Sequence, residues 1–137
     1  MGQQKRILYI EDEPTLQWLV KCILELAGGF EVLPCSSGAE GLRRIGEFAP
    51  DLVLLDVMMP EMDGFSVLRA LRARPESAAL PVVFLTARNE EGDEYLRSGA
   101  CGVIAKPFEP ALLVERVQAY AGGHGGRPDS GLRQRGD

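Results

Sequence analysis

Short apolar runs alternate with helical patterns along the first 121 residues of the chain. The runs are nearly continuous in apolar residues, and this favours strands that are buried on both faces. The middle three contain Val or Phe beside Leu, which favours strands over short buried helices. The predicted strands are Arg6–Ile10, Phe30–Leu33, Leu52–Leu55, Val82–Leu85 and Gly102–Ala105.

Each predicted strand is followed by a helix signature, which is a first-turn proline, a capping residue or a glycine stop. The predicted helices run from Pro14 to the stop at Gly28, from a Ser37–Glu40 capping box to about Phe48, from Asp63 to about Arg74, from Asn89 to Ser98, and from Pro110 to Tyr120.

Strict alternation of strands and helices predicts a single α/β domain of the (βα)₅ type. Its five-stranded sheet is parallel and doubly wound, with helices on both faces and right-handed crossovers. With strand order 2-1-3-4-5, the order reverses between the first and third strands. Open α/β sheets bind ligands beyond the carboxyl ends of the strands at this reversal.

Composition separates the predicted domain, 1–121, from a glycine-rich tail, 122–137. The 137 residues are 45% hydrophobic and 26% charged, which excludes a chain that is disordered throughout. The tail holds six of the sixteen glycines and has a net charge of +1. Because the whole chain has a net charge of −5, the domain alone has a net charge of −6. We expect the tail to be flexible. The acidic total argues against direct nucleic-acid binding, which needs a basic surface.

The cysteines and the histidine offer no zinc-binding pattern. Cys22, Cys35 and Cys101 are widely spaced, and His124 lies among glycines. Free thiols fit a reducing compartment, and no segment is apolar enough for a signal peptide or a membrane span. We therefore predict a cytoplasmic location without membrane insertion.

Four of the five predicted strands are followed by a chemically reactive group. Glu11 and Asp12 follow the first strand, Asp56 the third, Thr86 the fourth and Lys106 the fifth. Three adjacent carboxylates need compensating positive charge, and oxygen ligands of this kind suit Mg²⁺. A cation, an ammonium, a hydroxyl and a carboxylate nucleophile together are the parts of a phosphoryl-transfer site.

Four segments in this order and spacing resemble the CheY-like receiver domain of two-component response regulators: ILYIEDEP, PDLVLLDVMMPEMDGF, LTAR and GVIAKPF. The resemblance covers about residues 5–121. It implies a doubly wound receiver fold and a domain that accepts a phosphoryl group and then changes its binding to partners.

The resemblance assigns roles to the acidic residues. Asp56 becomes the phosphoacceptor. Glu11 and Asp12 become the acidic pair for Mg²⁺, with Mn²⁺ as an alternative ion. Asp12 is then the more direct ligand and Glu11 acts through water, while the backbone carbonyl of Met58 supplies a further oxygen.

The resemblance also assigns the remaining strand-end residues. Thr86 becomes the switch hydroxyl, and Lys106 contacts the phosphoryl group through a cis bond to Pro107. Many family members carry Tyr or Phe where this chain has Val103, so we expect no aromatic side chain to report the movement of Thr86. Met58 and Arg88 occupy positions that control water access, and their bulk predicts a long phosphorylated lifetime.

Two surfaces are predicted to bind partners. The first is the outer face of the first helix, where Trp18 and Cys22 would meet a sensor histidine kinase or a histidine phosphotransfer protein. The inner stripe of that helix is predicted to be Leu16, Leu19, Val20, Ile23 and Ala27.

The second surface is the family's usual output face, which the resemblance places on the helix predicted from Asn89, the fifth strand and the last helix. It would include Glu90, Glu94 and Val103 and bind a basic downstream protein or a second copy of the chain.

Several alternatives remain open. The acids before Pro14 also suit a helix N-terminus, and Trp18 also suits a partly covered surface position. The domain fits a stand-alone receiver, a phosphorelay intermediate or the receiver part of a longer regulator. A phosphatase would need Asp where Met58 stands, and intact Asp56, Thr86 and Lys106 argue against an interaction module that is never phosphorylated.

Overall fold

A computed structural model describes residues 4–57, 64–86 and 99–122. The strands form one parallel sheet in the order β2-β1-β3-β4-β5, which confirms the predicted fold class and strand order. The elements, in chain order, are β1 (Arg6–Ile10), α1 (Pro14–Leu26), β2 (Glu31–Cys35), α2 (Gly38–Phe48), β3 (Leu52–Asp56), α3 (Gly64–Arg72), β4 (Val82–Thr86), β5 (Gly102–Ala105) and α4 (Pro110–Ala121).

The sheet separates two apolar cores. Helices α1 and α4 cover one face, where Leu24 and Val117 pack with Ile7 and Tyr9 of β1. Helices α2 and α3 cover the other face. Every residue of β3 and β4 is buried, as predicted for strands covered on both sides. This arrangement leaves the carboxyl ends of β1, β3, β4 and β5 along one rim of the sheet.

The second strand is shifted from its predicted position, Phe30–Leu33, to Glu31–Cys35. Phe30 belongs to the preceding turn, because its N–H donates to the carbonyl of Leu24 near the end of α1. Pro34 is tolerated in β2 because this is an edge strand. The N–H of Glu31 donates to the carbonyl of Lys5, on the β1 side of the strand. Because the backbone N–H groups of successive strand residues point to opposite sides, the nitrogen of Pro34 points away from β1.

The predicted inner stripe of α1 is partly wrong. Val20 and Leu24, one turn apart, are its fully buried residues, and Leu24 was missing from the prediction. Leu16 and Ile23 pack against the same core, but Leu19 is 40% exposed because it lies at the border of the buried face. Ala27 is exposed because the helix ends at Leu26.

Helix boundaries follow the predicted signals closely. The Ser37 hydroxyl accepts the N–H of Glu40 at the start of α2, as predicted from the capping box. Helix α3 ends at Arg72, two residues before the predicted end. The helix predicted from Asn89, the predicted cap Asp63 and most of the tail lie outside the described residues. Among the helices that are described, none is long and apolar enough to cross a membrane.

Candidate functional site

Three carboxylates meet where β1 and β3 end. Ile10 pairs with Leu55 in the parallel register, so Glu11 and Asp56 leave neighbouring strands at the same level. One carboxylate oxygen from each of Glu11, Asp12 and Asp56 lies within 4.8 Å of the others. Glu11 and Asp56 are buried and Asp12 is exposed. The cluster therefore reaches solvent at Asp12.

Lys106 and Thr86 complete the rim from the other half of the sheet. Thr86 pairs with Ala105, and the N–H of Lys106 donates to the Thr86 carbonyl at 2.8 Å. The Lys106 ammonium lies 3.4 Å from Asp56 Oδ1 and 3.6 Å from Glu11 Oε1. The Lys106–Pro107 peptide bond is cis, as the sequence resemblance implied. One ammonium thus faces two buried carboxylates.

The electrostatic environment of Glu11 favours the protonated form of its carboxyl group. Burial, and then the charge of Asp56, raise its pKa to about 7. The Lys106 ammonium and the Glu13 N–H act in the opposite direction. The Glu13 N–H donates to Glu11 Oε2 at 3.2 Å. Added positive charge at this cluster would favour the ionised form of Glu11.

Two polar contacts behind Glu11 were not predicted from the sequence. Tyr9 is fully buried, and its hydroxyl donates to Glu11 Oε1 at 3.1 Å. The Gln17 amide donates to the backbone carbonyl of Glu11 and to the Ser36 hydroxyl. The contact between Tyr9 and Glu11 could have been inferred from the alternation of side chains along a strand, because this alternation places residues 9 and 11 on the same face.

The start of α3 lies close to the backbone at the end of β3. The Gly64 N–H donates to the Val57 carbonyl at 3.0 Å. A Cβ on Gly64 would lie 3.0 Å from Val57 Cα, 3.0 Å from Phe84 Cε1 and 3.3 Å from the Asp56 carbonyl oxygen. Glycine therefore allows the helix to approach the backbone that carries Asp56.

The donor set fits a small hard dication. Glu11, Asp12 and Asp56 offer oxygen ligands only, which is the chemistry that Mg²⁺ prefers, and the Lys106 ammonium lies beside two of them. These three residues would hold the ion. The predicted backbone ligand, Met58, lies outside the described residues.

The other predicted site residues are not members of this carboxylate cluster or lie outside the described part. Trp18 is 66% exposed and Cys22 half-buried on α1. Val103 is half-buried in β5, and its carbonyl accepts a hydrogen bond from Arg116 at 2.8 Å. Arg88, Glu90 and Glu94 cannot be placed, because the described residues stop at 86 and resume at 99.

Comparison with known proteins defines the class to which this fold and rim belong. The family model described as the response regulator receiver domain matches residues 7–118. The chain is therefore a member of the receiver domain family of two-component response regulators.

Curated relatives and solved structures agree. The chain is 40% identical over 118 residues to the DNA-binding response regulator MtrA of Mycolicibacterium smegmatis, covering 85% of this chain and 50% of MtrA. It is 42% identical over 116 residues to the phosphate regulon transcriptional regulatory protein PhoB of Rhizobium meliloti, covering 83% of this chain and 51% of PhoB. The chain thus spans about half the length of these relatives.

Among solved structures, the chemotaxis protein CheY4 of Vibrio cholerae matches with a TM-score of 0.79 and 30% identity, covering 85% of this chain and 98% of CheY4. The receiver domain of the sensor histidine kinase PA1611 from Pseudomonas aeruginosa matches with a TM-score of 0.78 and 30% identity, covering 88% of this chain and 99% of the PA1611 domain. That structure holds a magnesium ion in its active-site cleft.

Proposed function

We propose that this receiver domain accepts a phosphoryl group on Asp56 in a Mg²⁺-dependent reaction and thereby changes its binding to partners. The observation that carries the proposal is the single rim at which Asp56, Glu11 and Asp12 lie within 4.8 Å of one another and Lys106 lies 3.4 Å from Asp56. The match of the family model over residues 7–118 supports it.

In the proposed reaction, a carboxylate oxygen of Asp56 attacks the phosphorus atom of a phosphohistidine or a small acyl phosphate. A phosphorus–oxygen bond to Asp56 forms while the bond to the donor breaks, and the imidazole or carboxylate leaves with the bonding electrons. Lys106 and Thr86 neutralise charge on the transferred oxygens. A bound Mg²⁺, or Mn²⁺ as an alternative, would add Lewis-acid stabilisation of the same oxygens. Water later hydrolyses the acyl phosphate.

The proposal makes the domain a reactant rather than an enzyme with an external substrate. The test is incubation with acetyl phosphate and Mg²⁺, followed by intact-mass measurement. We expect a gain of one phosphoryl group that Asp56→Asn abolishes and that Glu115→Gln, on the exposed face of α4, retains. No mass gain in the folded wild-type protein would exclude the proposal and would favour an interaction module that is never phosphorylated. Multiple turnover of a phosphate ester would favour the phosphatase alternative.

We propose that the phosphodonor is a sensor histidine kinase or histidine phosphotransfer protein that docks on α1. Trp18, Leu19 and Leu26 are 66%, 40% and 87% exposed, so this helix presents apolar side chains to solvent. The helix begins at Pro14, directly after the acidic residues that follow β1. Trp18→Ala should slow transfer from the donor protein while leaving the rate with acetyl phosphate unchanged. An unchanged transfer rate would remove Trp18 from the interface.

The remaining expectations on partners and location stay predictions. The helix predicted from Asn89, with Glu90 and Glu94, together with Val103 would bind a downstream protein or a second copy. The cytoplasmic location, the absence of direct nucleic-acid binding and the boundary at residue 121 are further predictions. MtrA is named as a DNA-binding regulator, which keeps open the alternative that this sequence is the receiver part of a longer regulator.

Water access to Asp56 is proposed to depend on Met58 and Arg88. Both lie outside the described residues, so this proposal rests on the sequence resemblance alone. Met58→Asn and Arg88→Glu should each shorten the phosphorylated lifetime, measured as the decay of phosphoprotein after the donor is removed. Equal lifetimes would argue against shielding.

A further inference from the structure

Tyr9 is a polar side chain in the middle of an apolar core. It belongs to β1 and packs with Ile7, Leu54 and Leu113 on the face covered by α1 and α4. Its exposed fraction is 0%, and its hydroxyl donates to Glu11 Oε1 at 3.1 Å. Phenylalanine would fill this core space equally well, so packing alone does not explain the hydroxyl.

The hydrogen bond reaches the acidic cluster from inside the protein. Glu11 Oε1 accepts the Tyr9 hydroxyl and faces the Lys106 ammonium at 3.6 Å. Glu11 Oε2 accepts the backbone N–H of Glu13 at 3.2 Å. Donors on both oxygens fix the plane of the carboxylate. Without the Tyr9 hydroxyl, one of the two oxygens would lose its neutral donor from the core.

We infer that Tyr9 is a positioning residue whose hydroxyl holds the Glu11 carboxylate in the orientation that binds a divalent cation. The inference rests on the proposed function of the acidic rim. Hydrogen-bond partners behind metal ligands orient those ligands, and their removal commonly weakens metal affinity without abolishing it. In this role Tyr9 acts through Glu11 and takes no direct part in the transfer of the phosphoryl group.

The test compares wild-type protein with Tyr9→Phe, which keeps the ring and removes one oxygen. Calorimetric titration with MgCl₂ alone should show about tenfold weaker binding in the variant. With acetyl phosphate, the Mg²⁺ concentration for half-maximal phosphorylation should rise by a similar factor. The rate at saturating Mg²⁺ should stay within about twofold of wild type, because the reacting groups are intact.

Two controls separate positioning from a general loss of stability. Tyr120→Phe removes a hydroxyl that contacts the other end of the sheet, beside Gly102, and should leave Mg²⁺ affinity unchanged. In a Glu11→Gln background, Tyr9→Phe should cause no further loss of affinity, since the residue acts through Glu11. If Tyr9→Phe weakens Mg²⁺ affinity in the Glu11→Gln background by the same factor as in wild-type protein, the inference is overturned.

A spectroscopic measurement covers the case in which Tyr9→Phe does not fold. Addition of MgCl₂ should perturb the near-ultraviolet tyrosine absorption of wild-type protein and leave that of Glu11→Gln unchanged. If the wild-type protein binds Mg²⁺ without this perturbation, or with the same affinity as folded Tyr9→Phe, the role of Tyr9 is overturned. The proposed function is then unaffected. A wild-type protein that binds no Mg²⁺ would instead overturn the proposed function and this inference with it.

Discussion

The side-chain nitrogen of Lys106 lies 3.4 Å from Oδ1 of Asp56, although fifty residues separate them in the sequence. The contact depends on the parallel register that brings the ends of β3, β4 and β5 to one rim. It leaves the Asp56 carboxylate beside a compact positive charge that is itself 23% exposed. The ammonium can therefore meet both the carboxylate and an incoming phosphoryl group.

We expect Lys106→Met to slow phosphorylation by acetyl phosphate about a hundredfold, because a preorganised positive charge at the transferred oxygens is lost. Lys106→Arg should recover only part of the rate, since the guanidinium is larger and less compact than the ammonium. Lys5→Met is the matched control, because Lys5 precedes β1 and therefore lies at the opposite, amino-terminal end of the strand. The initial rate of phosphate incorporation, measured by intact mass, gives the comparison. Equal rates in Lys106→Met and Lys5→Met would contradict this role.

Stabilisation by Mg²⁺ should depend on pH through Glu11. Its pKa is raised from 4.5 to about 7, so the folded protein without metal binds more protons than the unfolded chain between these values. Stability without metal therefore falls as pH rises through this range. Metal binding needs the ionised carboxylate, so Mg²⁺ affinity should weaken about tenfold per pH unit below 7.

Thermal unfolding with and without MgCl₂ checks this expectation. The increase in melting temperature should be small at the acidic end of the range and largest above pH 7. Glu11→Gln should remove most of the pH dependence. An increase that is equal at both ends of the range in wild-type protein would show that Glu11 does not control metal binding.

The sheet and the rim were predictable because their signals are local and repeated. Continuous apolar runs predicted buried strands, and the residues directly after them, such as Asp56 and Lys106, were fixed by strand-end position. The exception is β2, because the predicted strand stops at Leu33, before Pro34, whereas the observed strand continues to Cys35. The edge position that accommodates a proline is a property of the sheet and is not visible in the local sequence.

Side-chain contacts across elements were less predictable. Leu24 and Leu19 are both apolar, and only packing against α4 and the sheet decides that the first is buried and the second 40% exposed. Tyr9 could be placed in a strand, but its hydrogen bond to Glu11 depends on how the first side chain after β1 turns inward. The periodicity of apolar residues identifies which face of a helix or strand is buried, but it does not identify which individual side chains are in contact.

We expect Gly64→Ala to impair both folding and phosphorylation. Its added Cβ would approach Val57 Cα and Phe84 Cε1 at 3.0 Å, closer than ordinary packing allows. The helix or the Asp56 backbone must then shift, with a stability cost of about 1–3 kcal/mol. Gly46→Ala in α2 has no neighbouring atom within 4 Å and should stabilise the protein by about 0.5–1 kcal/mol. Chemical denaturation and the rate with acetyl phosphate test the pair, and equal effects of the two substitutions would contradict the explanation.

Acid should weaken the contacts between α1 and the outer edge of β2, because these contacts depend on the ionised carboxylate of Glu25. Its carboxylate accepts the Val32 N–H at 3.1 Å and the Lys21 ammonium at 2.6 Å, and Lys21 also donates to the Val32 carbonyl at 3.3 Å. Side chains of α1 thus occupy the polar groups of an exposed strand edge. Burial alone would raise the pKa of Glu25, but the hydrogen bonds from Lys21 and Val32 outweigh it and lower the pKa below 4.5.

Because the folded pKa of Glu25 is depressed, its stabilising effect is complete above 4.5 and is lost as pH falls through the folded value. Glu25→Gln should therefore unfold at a lower temperature than wild type near neutral pH, and the difference should shrink as the solution is acidified. Glu115→Gln, on the exposed face of α4, should show no such convergence. A Glu25→Gln difference that stays constant in acid would assign the effect to the shape of the side chain, since the charge of Glu25 is what the pH change removes.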